Sequence, residues 1–166
     1  DMNDLSSDKK QLIAEYKKLL TNEAVAKGDI HAGKAIYDRT CSACHVLYGK
    51  GGKIGPDLTG SNRADLNYIL LNMLDPSGDI PEAYQLVTVT KNDGQIIAGT
   101  VSDEDHQRLI LNSIGLQNTV LKSDIKERAT SPYSMMPEGL LLTLPDKDVI
   151  DLVKYLRTSE PVATKP

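Results

Sequence analysis

Cys41, Cys44 and His45 stand together in the run TCSACH, which holds both cysteines of the chain and one of its three histidines. Three chemistries use such a group. A structural zinc needs four ligands, mostly Cys and His. This segment offers three at most, no second CxxC exists, and His31 and His106 each stand alone. A redox dithiol calls for a CxxC that follows a strand and opens a helix. Here a helical pattern precedes the motif and the glycine-rich run GKGGKIGPDLTG follows it. The third chemistry uses every residue. In C-x-x-C-H the two thiols add across the vinyl groups of a haem, and the next histidine lies under the iron. Cys41 and Cys44 are therefore read as thioether anchors of one covalent haem c, and His45 as its proximal iron ligand.

An iron held this way takes a second axial ligand in an electron carrier, and a methionine thioether is the usual choice. The chain has four methionines. Met2 lies in a terminal segment, and Met73 sits on the apolar face of a helical pattern, where core packing is its natural role. Met135 and Met136 lie in SPYSMMPEG, an irregular loop before the last helix. Met136 is the preferred ligand, with Met135 as the alternative. Ligation by His31 or His106 is the runner-up. Tyr48, Asn62 and Arg63 are candidate contacts for the haem carboxylates, since a buried carboxylate needs donors. Ordinary surface or capping roles compete for all three.

The elements that must position these residues are mostly helical by pattern. Leu12, Tyr16, Leu19 and Leu20 recur at helical spacing and predict one helix over 8–26, begun by Ser6 or Ser7 and ended by Gly28. Asp29 caps a second helix that delivers the chain to Cys41. Residues 49–60 read as loop. Ser61 or Asn62 opens a third helix with Leu66, Ile69, Leu70, Met73 and Leu74 on one face, and DPSG stops it. Two β-rich runs flank Asn92-Asp93-Gly94, a hairpin signal. With HQRLILNS and QNTVLKS they predict a small antiparallel insert over about 84–122. PDKDVIDLVKYLRTS closes the chain as a helix.

Composition narrows the partners. Net charge is −4 and no basic run occurs, which argues against nucleic acid. No stretch of about 18 apolar residues predicts a membrane span. There is no Trp and no Phe among the 166 residues. A buried porphyrin would fill the interior that large apolar rings otherwise fill.

GKAIYDRTCSACH, GPDLTG, MPEG and VIDLVKYL together resemble a class I mono-haem cytochrome c. The resemblance implies a mainly α cytochrome c fold, here with the β insert and an extra N-terminal helix. It implies that the first helix, at Gly33 and Tyr37, crosses the last at Leu152 and Tyr155. It also implies that the Pro56 carbonyl accepts the His45 Nδ1–H. The segments NYILLNMLDPSGDI and SPYSMMPEGL narrow the likeness to the haem-binding domain named after planctomycetes and verrucomicrobia, often attached to larger secreted dehydrogenase-like proteins. The expected organisation is an N-terminal extension over 1–28, a cytochrome domain over 29–160 and a tail over 161–166. The expected function is single-electron transfer rather than enzymatic catalysis. A haem-based ligand sensor or peroxidase-like enzyme with a displaceable Met is the alternative. The expected partner is a redox protein, a fused or associated dehydrogenase among the options. Haem is attached outside the cytoplasmic membrane, so the expected location is periplasmic or extracellular.

Overall fold

The computed structural model describes residues 4–165. Met2, weighed above as a ligand, and Pro166 of the tail lie outside the described residues. The helix predicted over 8–26 is two helices, α1 (Ser7–Leu19) and α2 (Asn22–Ala26). Ser6 accepts the Lys9 amide at 3.3 Å and starts α1. Leu20 then leaves helical geometry (φ −99, ψ 47). Thr21 accepts the Ala24 amide at 3.1 Å and starts α2. A threonine that can bond an amide three residues on competes with the helix ladder, and here it wins because the break turns Leu20 into the core.

Asp29 begins α3 (Ile30–Thr40), accepting the His31 and Ala32 amides at 3.0 Å each. This helix crosses α5 (Asp146–Leu156). A Cβ placed on Gly33 would stand 1.9 Å from the Asp151 carbonyl oxygen and 2.9 Å from the Tyr155 Cβ. One turn on, the Tyr37 and Tyr155 rings meet at 5.4 Å between centroids. Polar groups fix the ends of the crossing. Asp151, only 2% exposed, accepts the Asp29 amide at 2.7 Å and Lys147 Nζ at 2.6 Å. Lys154 Nζ donates to the Ala26 and Gly28 carbonyls. The third predicted helix starts later than expected, as α4 (Leu66–Leu74), because Asp65 accepts the Asn67 amide at 2.9 Å. Ile69, Leu70, Met73 and Leu74 of α4 join Val149, Leu152 and Val153 of α5 in one core. Among the described residues no helix is long and apolar enough to cross a membrane.

The expectation of a mainly α chain is overturned. Helix accounts for 36% and strand for 22%, with a five-stranded antiparallel sheet. Its strands are β3 (Val87–Lys91), β4 (Ile96–Glu104), β5 (Arg108–Ser113), β6 (Leu116–Leu121) and β7 (Ile125–Thr130), in the order β6-β5-β4-β3-β7. The sequence signals four of these and misses β7, whose residues IKERAT are mostly exposed and show no apolar alternation. A second, two-stranded ladder pairs β1 (Val46–Leu47) with β2 (Lys50–Gly51), and β2 lies in the stretch read as loop. The large sheet has its own apolar cluster of Val87, Val89, Leu109, Leu111 and Val120, with Ile125 packed against it. Residues from both edge strands thus share one cluster, so the sheet curls over its apolar face. Glu104 pins the curl, bidentate to Arg128 at 3.0 and 3.1 Å and bonded to Lys122 at 2.7 Å.

Two outcomes follow for stability. Gly33→Ala should lower unfolding free energy by at least about 1–3 kcal/mol, the usual cost of overpacking, read by urea melts. Arg128 and Lys122 hold the Glu104 carboxyl down from 4.5 to about 2. That depressed value adds stability above pH 4.5 that is lost as pH falls toward about 2. Glu104→Gln should remove this acid-limb loss, worth about 1 kcal/mol or less for so exposed a group, in melts recorded across that range.

Candidate functional site: a cysteine–histidine turn and its loop

The last turn of α3 carries the chain directly into the cysteine motif. The Cys41 amide donates to the Tyr37 carbonyl at 2.8 Å, and the Cys44 and His45 amides both return to the Cys41 carbonyl at 3.1 and 3.0 Å. The tight turn keeps Cys41, Cys44 and His45 on one short arc. Both thiols are free. Burial, aided by Cys44, pushes the Cys41 thiol up to about 12, and burial raises Cys44 as well. A redox dithiol works through a lowered thiolate pKa; this pair is tuned the other way.

His45 is set by the loop that follows. Its Nδ1 lies 2.7 Å from the Pro56 carbonyl oxygen. A carbonyl can only accept, so Nδ1 carries the proton and Nε2 keeps its lone pair. Burial lowers the His45 pKa, against the opposing pull of the Pro56 bond; burial thus favours the neutral ring, and the bond selects its tautomer. The loop reaches the ring by pairing its amides with the motif's carbonyls: Gly52 to Ser42 at 2.8 Å, Gly55 to Cys44 at 2.7 Å and Leu58 to Val46 at 2.8 Å. A Cβ on Gly55 would lie 2.8 Å from His45 Cε1 and 3.0 Å from Nδ1, so only glycine lets the backbone lie on the ring. Tyr48 and Gly49, both at positive φ (52 and 79), make the two-residue turn between β1 and β2. A tyrosine is an unusual occupant of that turn. It is held at the other end, where its hydroxyl meets the Thr158 carbonyl and hydroxyl at 2.8 Å each.

Arg63 is 8% exposed and bonds four backbone carbonyls. Its Nε donates to Leu58 at 2.8 Å, Nη1 to Leu156 at 2.6 Å and Thr158 at 2.8 Å, and Nη2 to Thr59 at 3.0 Å. It also lies 5.2 Å from the centre of the Tyr48 ring. The guanidinium therefore ties the end of α5 to the loop after Pro56, and one of its five N–H groups is left over. Asn62 is exposed. The methionines separate clearly. Met136 is half-buried and packs against the core cluster that contains Cys41, Leu47, Leu70 and Met73, whereas Met135 is 36% exposed. The Met136 amide donates to Ser134 Oγ at 3.1 Å, and the Ser134 amide to Ser77 Oγ at 3.0 Å. His31 and His106 are exposed. The chain brings Cys41, Cys44, His45, Pro56 and Tyr48 together, with Met136 on the same core.

The sequence matches the family model for cytochrome c over residues 30–160. The chain belongs to the cytochrome c family. No curated protein matches it significantly. Family membership implies a covalently bound c-type haem, and the residues of this cytochrome fit one. Two unpaired thiols two residues apart would anchor the porphyrin, and His45 presents a free Nε2 lone pair beside them. Leu47, Leu58, Leu66, Leu70 and Leu141 supply apolar surface in the same cluster.

Sequence reasoning missed Thr158 and the carbonyls of Leu58, Thr59 and Leu156 as partners of Tyr48 and Arg63. A backbone acceptor has no side-chain signature, so no signal in the sequence could have found them. Arg63→Leu should destabilise the cytochrome by about 3 kcal/mol or more, since it strands several buried carbonyls. Arg63→Lys should recover less than half of that, because an ammonium cannot reproduce the planar fork. Guanidinium melts of both variants provide the check.

Proposed function

We propose that this cytochrome is a single-electron carrier whose iron is held between His45 and Met136. The haem, when bound, supplies one-electron Fe(III)/Fe(II) chemistry. The chain's own residues supply the rest. Cys41 and Cys44 fix the porphyrin edge covalently. His45 Nε2 would hold the iron from one side, and the Met136 thioether would supply the second donor. The observation that carries this reading is the 2.7 Å bond between His45 Nδ1 and the Pro56 carbonyl. It fixes the ring's tautomer and rotation and raises its donor strength, as a partner behind a ligand does. Met136 is favoured over Met135 by its half-buried place on the core. A rigid pair of ligands and a dry surround keep reorganisation small when the electron moves.

The partner is a second redox protein, with a fused or associated dehydrogenase among the options. The planctomycete-type reading is supported by the position of the sheet, which lies between α4 and the methionine loop. A domain running over 29–160 with the helical extension before it agrees with this layout. A periplasmic or extracellular location accords with attachment of haem to a CxxCH outside the cytoplasmic membrane.

Met136→Ala in the mature protein should leave thioether attachment intact, abolish the low-spin methionine-ligated spectrum and lower the midpoint potential. Met135→Ala should change neither. Spectra of both oxidation states with a potentiometric titration decide between them. A wild-type spectrum in Met136→Ala sinks the assignment and moves it to Met135.

A further inference from the structure

One face of the five-stranded sheet is occupied by its own apolar cluster. On the other face Thr100 of β4 and Asn112 of β5 stand directly opposite each other, so their side chains project to the same side. Thr100 is only 3% exposed. A buried hydroxyl has lost water and needs an acceptor. Thr100 Oγ1 donates to the Ile54 carbonyl at 2.8 Å, and Asn112 Nδ2 donates to the Lys53 carbonyl at 3.3 Å. One cross-strand pair thus grips two consecutive carbonyls of the loop behind His45. The next two residues are Gly55, whose backbone lies against the His45 ring, and Pro56, whose carbonyl takes Nδ1–H. On its opposite side the same loop gives the Gly52 and Gly55 amides to Ser42 and Cys44. The loop is held from both sides, by its amides on the cysteine motif and by its carbonyls on the sheet.

We propose that Thr100 and Asn112 are positioning residues for the proximal ligand: through residues 53–56 the sheet sets the strength of the His45–Pro56 bond. This rests on the reading of His45 as an iron ligand. A firm Nδ1–H···O bond makes the imidazole a stronger donor, and a stronger donor favours Fe(III). Loosening the clamp should therefore favour Fe(II) and raise the potential.

The test compares mature holoprotein of the wild type, Thr100→Val, Thr100→Ser and Asn112→Ala. The readouts are the pyridine haemochrome, the midpoint potential and solvent exchange of the His45 Nδ1 proton by NMR of the reduced form. Thr100→Val keeps the shape and loses the hydroxyl; its Nδ1–H should exchange about tenfold faster, the scale of one lost hydrogen bond. Its redox equilibrium should shift toward Fe(II) roughly two- to tenfold, tenfold being about 59 mV for one electron. Thr100→Ser should match the wild type. Asn112→Ala should move both readouts in the same direction by less, and it decides the matter if the valine variant does not fold. Wild-type exchange and potential in a folded Thr100→Val, or in Asn112→Ala where the valine variant is lost, overturn the clamp and leave the electron carrier standing. A wild-type preparation without thioether-linked haem overturns the carrier reading and, with it, any role of the clamp toward an iron ligand.

Discussion

The close approach of α3 to α5 at Gly33 is the constraint on which the site depends. The helix backbones nearly touch there, with room for a hydrogen and none for a methyl group. Because α3 ends at Thr40 and Cys41 follows immediately, its position on α5 decides where the cysteine turn begins. Because α5 ends at Leu156, the same crossing places the carbonyls of Leu156 and Thr158 within reach of Arg63 and Tyr48. One contact therefore locates both ends of the loop that carries Pro56. The buried carboxylate of Asp151 reinforces it by closing the amide of Asp29 at the start of α3.

Between those ends the loop follows from an accounting of backbone polar groups. Buried amides and carbonyls must find partners, yet residues 52–58 belong to no helix or large sheet. The amides of Gly52, Gly55 and Leu58 go to the carbonyls of Ser42, Cys44 and Val46, in and just after the cysteine motif. The carbonyls of Lys53, Ile54, Pro56 and Leu58 go to side chains: Asn112, Thr100, His45, and Arg63 with Ser61. The proline is well placed in this scheme. It has no N–H of its own to satisfy, and it offers a carbonyl to the one donor that must be oriented.

The site was more legible in the sequence than the fold around it. Cys41, Cys44 and His45 are adjacent in the chain, and their spacing alone restricts the chemistry they can do together. The helices α3 and α5 were visible because their apolar residues recur at helical spacing. The break at Leu20 was not, since the helical spacing of Leu12, Tyr16, Leu19 and Leu20 runs right up to it and a lone threonine does not by itself mark a cap. The sheet was underweighted because β7 is an edge strand with little apolar content, and edge strands of that kind carry weak patterns. The mainly helical expectation failed on that strand and on the length of β4, whose end is charged. Arg63 illustrates a different limit. Its type suggested a charged contact, and nothing in the sequence foretold that it also clasps the carbonyls of Leu58, Thr59, Leu156 and Thr158.

The two apolar clusters are separate, one built on the helices and one enclosed by the curled sheet. If the sheet served only stability, an apolar face pressed on the helical core would serve better, because apolar burial is the larger contribution per unit area. Instead its apolar face is turned inward on itself, and its polar face meets the loop behind His45. Hydrogen bonds contribute modestly to net stability but specify position, since each fails when donor and acceptor shift by a few tenths of an ångström. A sheet joined to the site by such bonds is suited to hold a ligand's supporting loop at a set distance. That arrangement accounts for a buried threonine hydroxyl on a strand whose neighbours in the chain have no part in the cysteine–histidine site.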